Sequence, residues 1–89
     1  MSISIYDALS DCLWGHINAT NAKQPAAIQE NHTKALDIVR EKRFTKVDMH
    51  KEVKQAEKDR YSALAKNDTN GVRCCELTAH FFTTLILRM

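Results

Sequence analysis

The cysteines and histidines are the residues of this sequence whose chemistry could serve metal binding. The chain has three cysteines, Cys12, Cys74 and Cys75, and four histidines, at positions 16, 32, 50 and 80. Neither the His-Glu-x-x-His spacing of a zinc helix nor a Cys-x-x-Cys pair occurs. Cys74 and Cys75 are adjacent, and adjacent helical residues point about 100° apart, so their thiolates do not converge on one tetrahedral ion. The sequence therefore predicts no metal site and no cofactor.

Nucleophilic catalysis would need a thiol activated by a neighbouring base, and Cys75 lies near His80 in the sequence. A small helical protein without a second structural layer seldom builds the cleft that such a site requires. We therefore expect a protein that is not an enzyme, and we read His16 and His32, on apolar helix faces, as partly buried, hydrogen-bonded side chains.

The cysteine count and the N-terminal residues bear on the cellular compartment. Three cysteines cannot all pair with one another. Residues 1–7 lack the basic region that begins a signal peptide and reach an acidic residue, Asp7. We expect free cysteines in a reducing environment, and hence a cytoplasmic protein.

The composition favours long helices within one small domain spanning residues 1–89. Only two glycines and one proline occur among 89 residues, too few for the many turns of a β-sandwich or barrel. Apolar residues make up 44% of the chain, but no run of them is long enough to cross a membrane. The predicted fold is all-α, a small helical hairpin or bundle of three to four helices.

Apolar residues recur at three- and four-residue spacing in four segments, which predicts helices over about 5–22, 25–43, 46–66 and 72–89. Pro25 marks the first break, because the residue before a proline avoids the helical region. Thr45 and Asp48 resemble a capping box, which favours a new helix at residue 46. One kinked helix over 26–66 is the alternative.

The last segment allows a second interpretation. Residues 81–87 are rich in aromatic and β-branched side chains, which suit a strand. A single strand needs partners, however, and nothing upstream alternates with a period of two. We therefore predict a helix.

Basic residues concentrate at the predicted junction between the second and third helices. The whole chain has a net charge of only +2, yet Arg40, Lys42, Arg43 and Lys46 fall within seven residues. The ordinary interpretation is a solvated turn, with bases placed well at a helix C-terminus. A docking patch for an acidic protein surface is the functional one, and contact with nucleic acid is a third.

The last helix carries more apolar surface than the thin apolar stripe of the third helix can cover. Phe81, Phe82, Leu85 and Ile86 are predicted either to form the core or to close a two-fold interface, and we expect a homodimer.

The function that these features favour is non-catalytic. We expect a small intracellular protein that binds another protein, as an adaptor, a chaperone-like factor or an inhibitor of the kind carried by bacteria or phages. The alternative is a small nucleic-acid-binding regulator that uses the basic helix junction.

Overall fold

A computed structural model describes residues 4–89, which form four α-helices and no strand. The helices are α1 (Ile5–Asn21), α2 (Pro25–Lys42), α3 (Lys46–Ala65) and α4 (Thr69–Arg88). The predicted all-α bundle is confirmed in its four-helix form. The alternatives of one kinked helix over 26–66 and of a strand over 81–87 are wrong.

Side-chain caps mark the starts of three helices, α1, α3 and α4. At the start of α1, the Ser4 hydroxyl accepts a hydrogen bond from the Asp7 N–H at 3.1 Å. At the start of α3, Thr45 Oγ1 accepts from the Asp48 N–H at 3.2 Å, and Asp48 Oδ2 accepts from the Thr45 N–H at 2.8 Å. This reciprocal capping box satisfies amide groups that a new helix leaves without partners, and it separates α3 from α2.

The fourth helix begins three residues earlier than the sequence pattern indicates. We expected a helix from Val72 after a break that includes Gly71. Instead Asp68 caps α4, with its Oδ1 accepting from the Gly71 N–H at 3.0 Å. Gly71 therefore lies in the first helical turn, and the left-handed turn residue is Asn67, with φ 56°.

Each connection between consecutive helices has three residues, at 22–24, 43–45 and 66–68. Each contains one non-glycine residue with a left-handed backbone: Lys23 (φ 56°), Arg43 (φ 59°) and Asn67 (φ 56°). A side chain in this conformation costs about 1–2 kcal/mol. The chain thus reverses direction tightly three times without a glycine in the left-handed position.

Consecutive helices run antiparallel. The C-terminal ends of α2 and α4 therefore lie at the same end of the bundle as the N-terminal ends of α1 and α3. Arg43, just after α2, and Arg88, at the end of α4, line the same cleft. Ile5, at the start of α1, lines a depression at this end with Asp48 from the start of α3. The topology is therefore up-down-up-down.

The core lies between the two helical hairpins, α1–α2 and α3–α4. Its buried members are Leu9, Cys12, Leu13, Ile17, Ala35, Leu36, Val39, Met49, Leu77, Phe81, Phe82 and Leu85. α3 supplies only Met49 to this set, as its thin apolar stripe predicts, and Leu64 on the same helix stays 47% exposed. Within residues 4–89, no helix combines the length and the apolar character that crossing a membrane requires.

Candidate functional site

The end of α2 and the end of α4 enclose a cleft of about 260 Å³. We call it the cationic cleft. Its lining residues are Leu36, Val39, Arg40, Arg43, Phe44, Arg88 and Met89. Leu36 and Val39 are buried and Phe44 is half-buried, whereas all three arginines are exposed. The cleft therefore has an apolar floor beneath cationic side chains, and no Asp or Glu is among its lining residues.

The end of α2 places Arg43 beside this cleft. α2 stops at Lys42, and Arg43 takes φ 59°, ψ 37°, which turns the chain out of the helix. The Phe44 N–H then donates to the Val39 carbonyl at 3.0 Å and the Arg43 N–H donates to the Arg40 carbonyl at 3.3 Å, which are the two hydrogen bonds of a Schellman turn. After this turn the half-buried Phe44 packs against the core and lines the cleft together with Arg43.

The arginines of the cleft differ in their ion pairs. Arg40 Nη1 lies 3.7 Å from Asp37 Oδ1, and both side chains are more than 70% exposed, so that pair contributes only about 0–1 kcal/mol. Neither Arg43 nor Arg88 has an ion pair among residues 4–89. Two guanidinium groups of the cleft are thus free of carboxylate partners in the described part of the chain.

The predicted basic patch is divided by the fold. Arg40 and Arg43 line the cationic cleft, whereas Lys42 and Lys46 are exposed and do not line it. Arg88 also lines the cleft, although it lies far from the others in sequence, and the sequence pattern did not indicate it. The signal that could have found it was the up-down-up-down topology, which brings the ends of α2 and α4 together.

The aromatic residues of α4 lie inside the molecule. Phe81, Phe82 and Leu85 have no exposed surface within the single chain, and Ile86 is half-buried against the same core. Of the two predicted roles for this set, burial supports the core. The homodimer stays a prediction, and in this conformation these three side chains do not contribute to a two-fold contact.

The three cysteines are free thiols. Burial raises the pKa of the Cys12 thiol, and burial together with the charge of Asp59 raises that of Cys75. A raised pKa reduces the thiolate fraction and hence the nucleophilicity near neutral pH.

Two of the four histidines are core residues. His16 and His32 are hydrogen-bonded, as predicted, but they are more deeply buried than predicted, and their partners are each other at 3.1 Å, which the sequence did not indicate. Among residues 4–89, no group of three or more His, Cys, Asp or Glu side chains is arranged to hold a metal ion.

Comparison with protein-family models, with curated protein sequences and with solved structures finds no match to this chain.

The chemistry open to the cationic cleft is the binding of an anion. Guanidinium groups bind carboxylates and phosphates through paired hydrogen bonds. The cleft is smaller than most small-molecule pockets, which run to roughly 300–1,000 Å³. Its volume suits an apolar side chain lying on the floor, with acidic groups on either side of it.

Proposed function

We propose that this protein acts without catalysis, by binding another protein as an adaptor, a chaperone-like factor or an inhibitor. In this proposal the cationic cleft receives an acidic segment of the partner together with one apolar side chain. The observation that carries it is the convergence of Arg40, Arg43 and Arg88, from two separate helix ends, over the apolar floor of Leu36 and Val39.

Charge complementarity decides the chemistry of the partner in this proposal. Arg43 and Arg88 have no carboxylate partner in the described chain, so acidic groups of a second protein would meet guanidinium groups that are not already paired. Arginine is enriched among the residues that dominate protein–protein binding energies. An apolar side chain placed on the floor would add the hydrophobic contribution of a buried anchor.

The direct test uses a fluorescein-labelled acidic peptide with Leu and Phe at its centre, in fluorescence anisotropy. A comparison peptide of the same charge has Ser in place of Leu and Phe. We expect the first peptide to bind more tightly, because only it can fill the apolar floor. Equal affinity for both peptides would mean that the site recognises charge alone and would contradict the proposed mode of binding.

Charge reversal at matched positions then locates the site. The double variant Arg40→Glu with Arg43→Glu should abolish peptide binding. Lys42→Glu with Lys46→Glu changes the net charge equally but leaves the cleft unaltered, and it should weaken binding only slightly. All four side chains are exposed, so both variants should keep the helical circular dichroism spectrum. Equal losses in the two variants would refute the cleft as the docking site.

A nucleic-acid-binding regulator is the competing function, and its salt dependence differs. If the three arginines of the cleft neutralise three phosphates, the logarithm of the affinity for duplex DNA falls against the logarithm of salt concentration with a slope of about −2.7. Tight DNA binding with such a slope, and no peptide binding, would favour that function.

The location, the origin and the oligomeric state expected from the sequence are also part of the proposal. The free cysteines support a cytoplasmic location. The small size is the basis for a bacterial or phage accessory protein. A homodimer would use exposed apolar side chains such as Trp14 and Tyr61, and light scattering at micromolar concentration tests it.

A further inference from the structure

The two buried histidines form one hydrogen-bonded pair between α1 and α2. His32 Nε2 lies 3.1 Å from His16 Nδ1, and the ring centroids are 4.8 Å apart. The side chains are almost completely covered, with exposed fractions of 1% for His16 and 5% for His32. The Phe81 ring of α4 lies against both, at centroid distances of 5.4 and 5.6 Å. Three helices therefore meet at this pair.

The pair suits two neutral rings. Each neutral imidazole has one N–H, so one ring donates and the other accepts across the 3.1 Å contact. The remaining nitrogen of His16, Nε2, is buried and has no hydrogen-bond partner among residues 4–89. A protonated His16 would carry N–H groups on both nitrogens, and in this conformation the Nε2–H would meet no acceptor at hydrogen-bonding geometry among residues 4–89.

The charges around the pair also oppose protonation. From α4, His80 faces His16 with a centroid distance of 5.8 Å, and Arg88 and His80 act on His32. α1 and α2 place only the two histidines themselves against each other. Neither His16 nor His32 forms an ion pair in the described chain. No carboxylate is therefore in place to stabilise an imidazolium ion here.

These surroundings shift both titrations downward. Burial, helped by His32 and His80, lowers the pKa of His16 from 6.5 to about 4. The Leu77 carbonyl acts in the opposite direction, although it does not meet the ring nitrogen at hydrogen-bonding geometry. Burial, helped by Arg88 and His80, lowers the pKa of His32 from the same ordinary value.

We propose that the His16–His32 pair is a proton-operated latch, which holds α1, α2 and α4 together while both rings are neutral and opens their contact when the rings take up protons. A first proton leaves the hydrogen bond possible, because a charged ring can donate to a neutral one, but it places a charge in the core. A second proton breaks the bond, since both facing nitrogens then carry hydrogen. Arg88 and His80 both lie on α4, so their repulsion acts against the contact between the protonated pair and α4.

The sign of the pH effect follows from the lowered pKa values. The unfolded chain binds protons below about pH 6.5, whereas the folded protein resists them until the pH is lower. Stability from the pair is therefore complete above about pH 6.5 and is lost as the pH falls toward the folded-state value. Over that range the ratio of folded to unfolded protein should fall about tenfold per pH unit for each proton taken up.

The experiment compares urea denaturation of the wild type with that of His16→Leu with His32→Leu, between about pH 7 and about pH 5. Replacing both partners by apolar groups leaves no unpaired nitrogen, and such exchanges can be close to neutral in stability. We expect the denaturation midpoint of the wild type to fall over this range and that of the double variant to change much less. His50→Gln removes an exposed histidine and should behave as the wild type. Equal pH dependence in wild type and double variant would overturn the proposal.

A second measurement keeps the test decisive if the double variant does not fold. Proton–nitrogen NMR of the imidazole rings in the wild-type protein reports the protonation of His16 and His32 directly. We expect both rings to stay neutral for as long as the folded signals of Phe81 persist, and to become protonated only as those signals disappear. Protonation of either ring near pH 6.5 with unchanged Phe81 signals would refute the latch.

Discussion

The side chain of Asn31 on α2 fills the space that a Cβ atom at Gly15 of α1 would occupy. Asn31 is held there by its own helix, since Nδ2 donates to the Ala27 carbonyl at 2.8 Å. Gly15 weakens α1 by about 1 kcal/mol relative to alanine. The glycine is thus explained by a side chain of the neighbouring helix and by the close approach of α1 and α2.

Gly15→Ala and Asn31→Ala should therefore show energetic coupling. In the wild type we expect Gly15→Ala to change the free energy of unfolding little, because the gain in helix propensity is offset by displacement of the Asn31 side chain. In the Asn31→Ala background the full gain of about 1 kcal/mol should appear. Urea denaturation of the four proteins measures the coupling. Additive effects would contradict the contact.

Arg43→Gly should separate folding from binding. Glycine adopts φ 59° without strain, so we expect the free energy of unfolding to rise by about 0.5–1 kcal/mol. The same change removes a guanidinium from the cationic cleft and should weaken binding of the acidic peptide. Lys23→Gly is the matched control, because it relieves the same backbone conformation outside the cleft and should stabilise the fold without affecting binding.

Thr45→Ala should destabilise the protein by about 1 kcal/mol, since it removes the cap of α3, whereas Thr45→Ser should keep most of it. Asp48 gives the same cap a pH dependence, because the capping hydrogen bonds from Thr45 lower the pKa of Asp48 below its ordinary 3.8.

A carboxylate with a lowered pKa adds stability that is present above about pH 3.8 and is lost as the pH falls through the folded-state pKa. In the Asp48→Asn variant, the melting temperature should therefore fall less between about pH 7 and about pH 3 than it does in the wild type. Thermal denaturation at the two pH values measures the difference.

Phe82→Ala tests whether the aromatic side chains of α4 belong to the core. Phe82 has no exposed surface, and its truncation should cost about 3–5 kcal/mol in the free energy of unfolding. Leu87→Ala on the same helix is the control, because Leu87 is 82% exposed and should change stability by less than about 0.5 kcal/mol. Similar small effects in both variants would mean that Phe82 is not packed in the core.

The helices were predictable because their signals are local. The Thr45–Asp48 capping box and the Gln24–Pro25 step each involve residues close together in sequence, and both breaks lie where the pattern indicates. The start of α4 was misplaced because Asn67, Asp68 and Gly71 are all turn formers. Which of them caps the helix and which turns the chain depends on side-chain geometry.

The sequence predicted only those site residues that one helix or one helix junction brings together. Arg40 and Arg43 stood out at one junction, and His16 and His32 lay on the apolar faces of separate helices. Their partners depend on the alignment of one helix against another. The sequence pattern gives no such alignment, so the bond between the two histidines was not foreseeable, and an up-down-up-down topology could only have placed Arg88 at the same end of the bundle as Arg43.

The three short connections have a consequence for the speed of folding. With only three residues between consecutive helices, α1 meets α2, and α3 meets α4, through parts of the chain that are close in sequence. Closing such short loops costs little entropy, and proteins rich in local contacts fold within microseconds to milliseconds. The contacts that join parts of the chain distant in sequence are then mainly those between the two hairpins, in the core around Phe81 and Phe82.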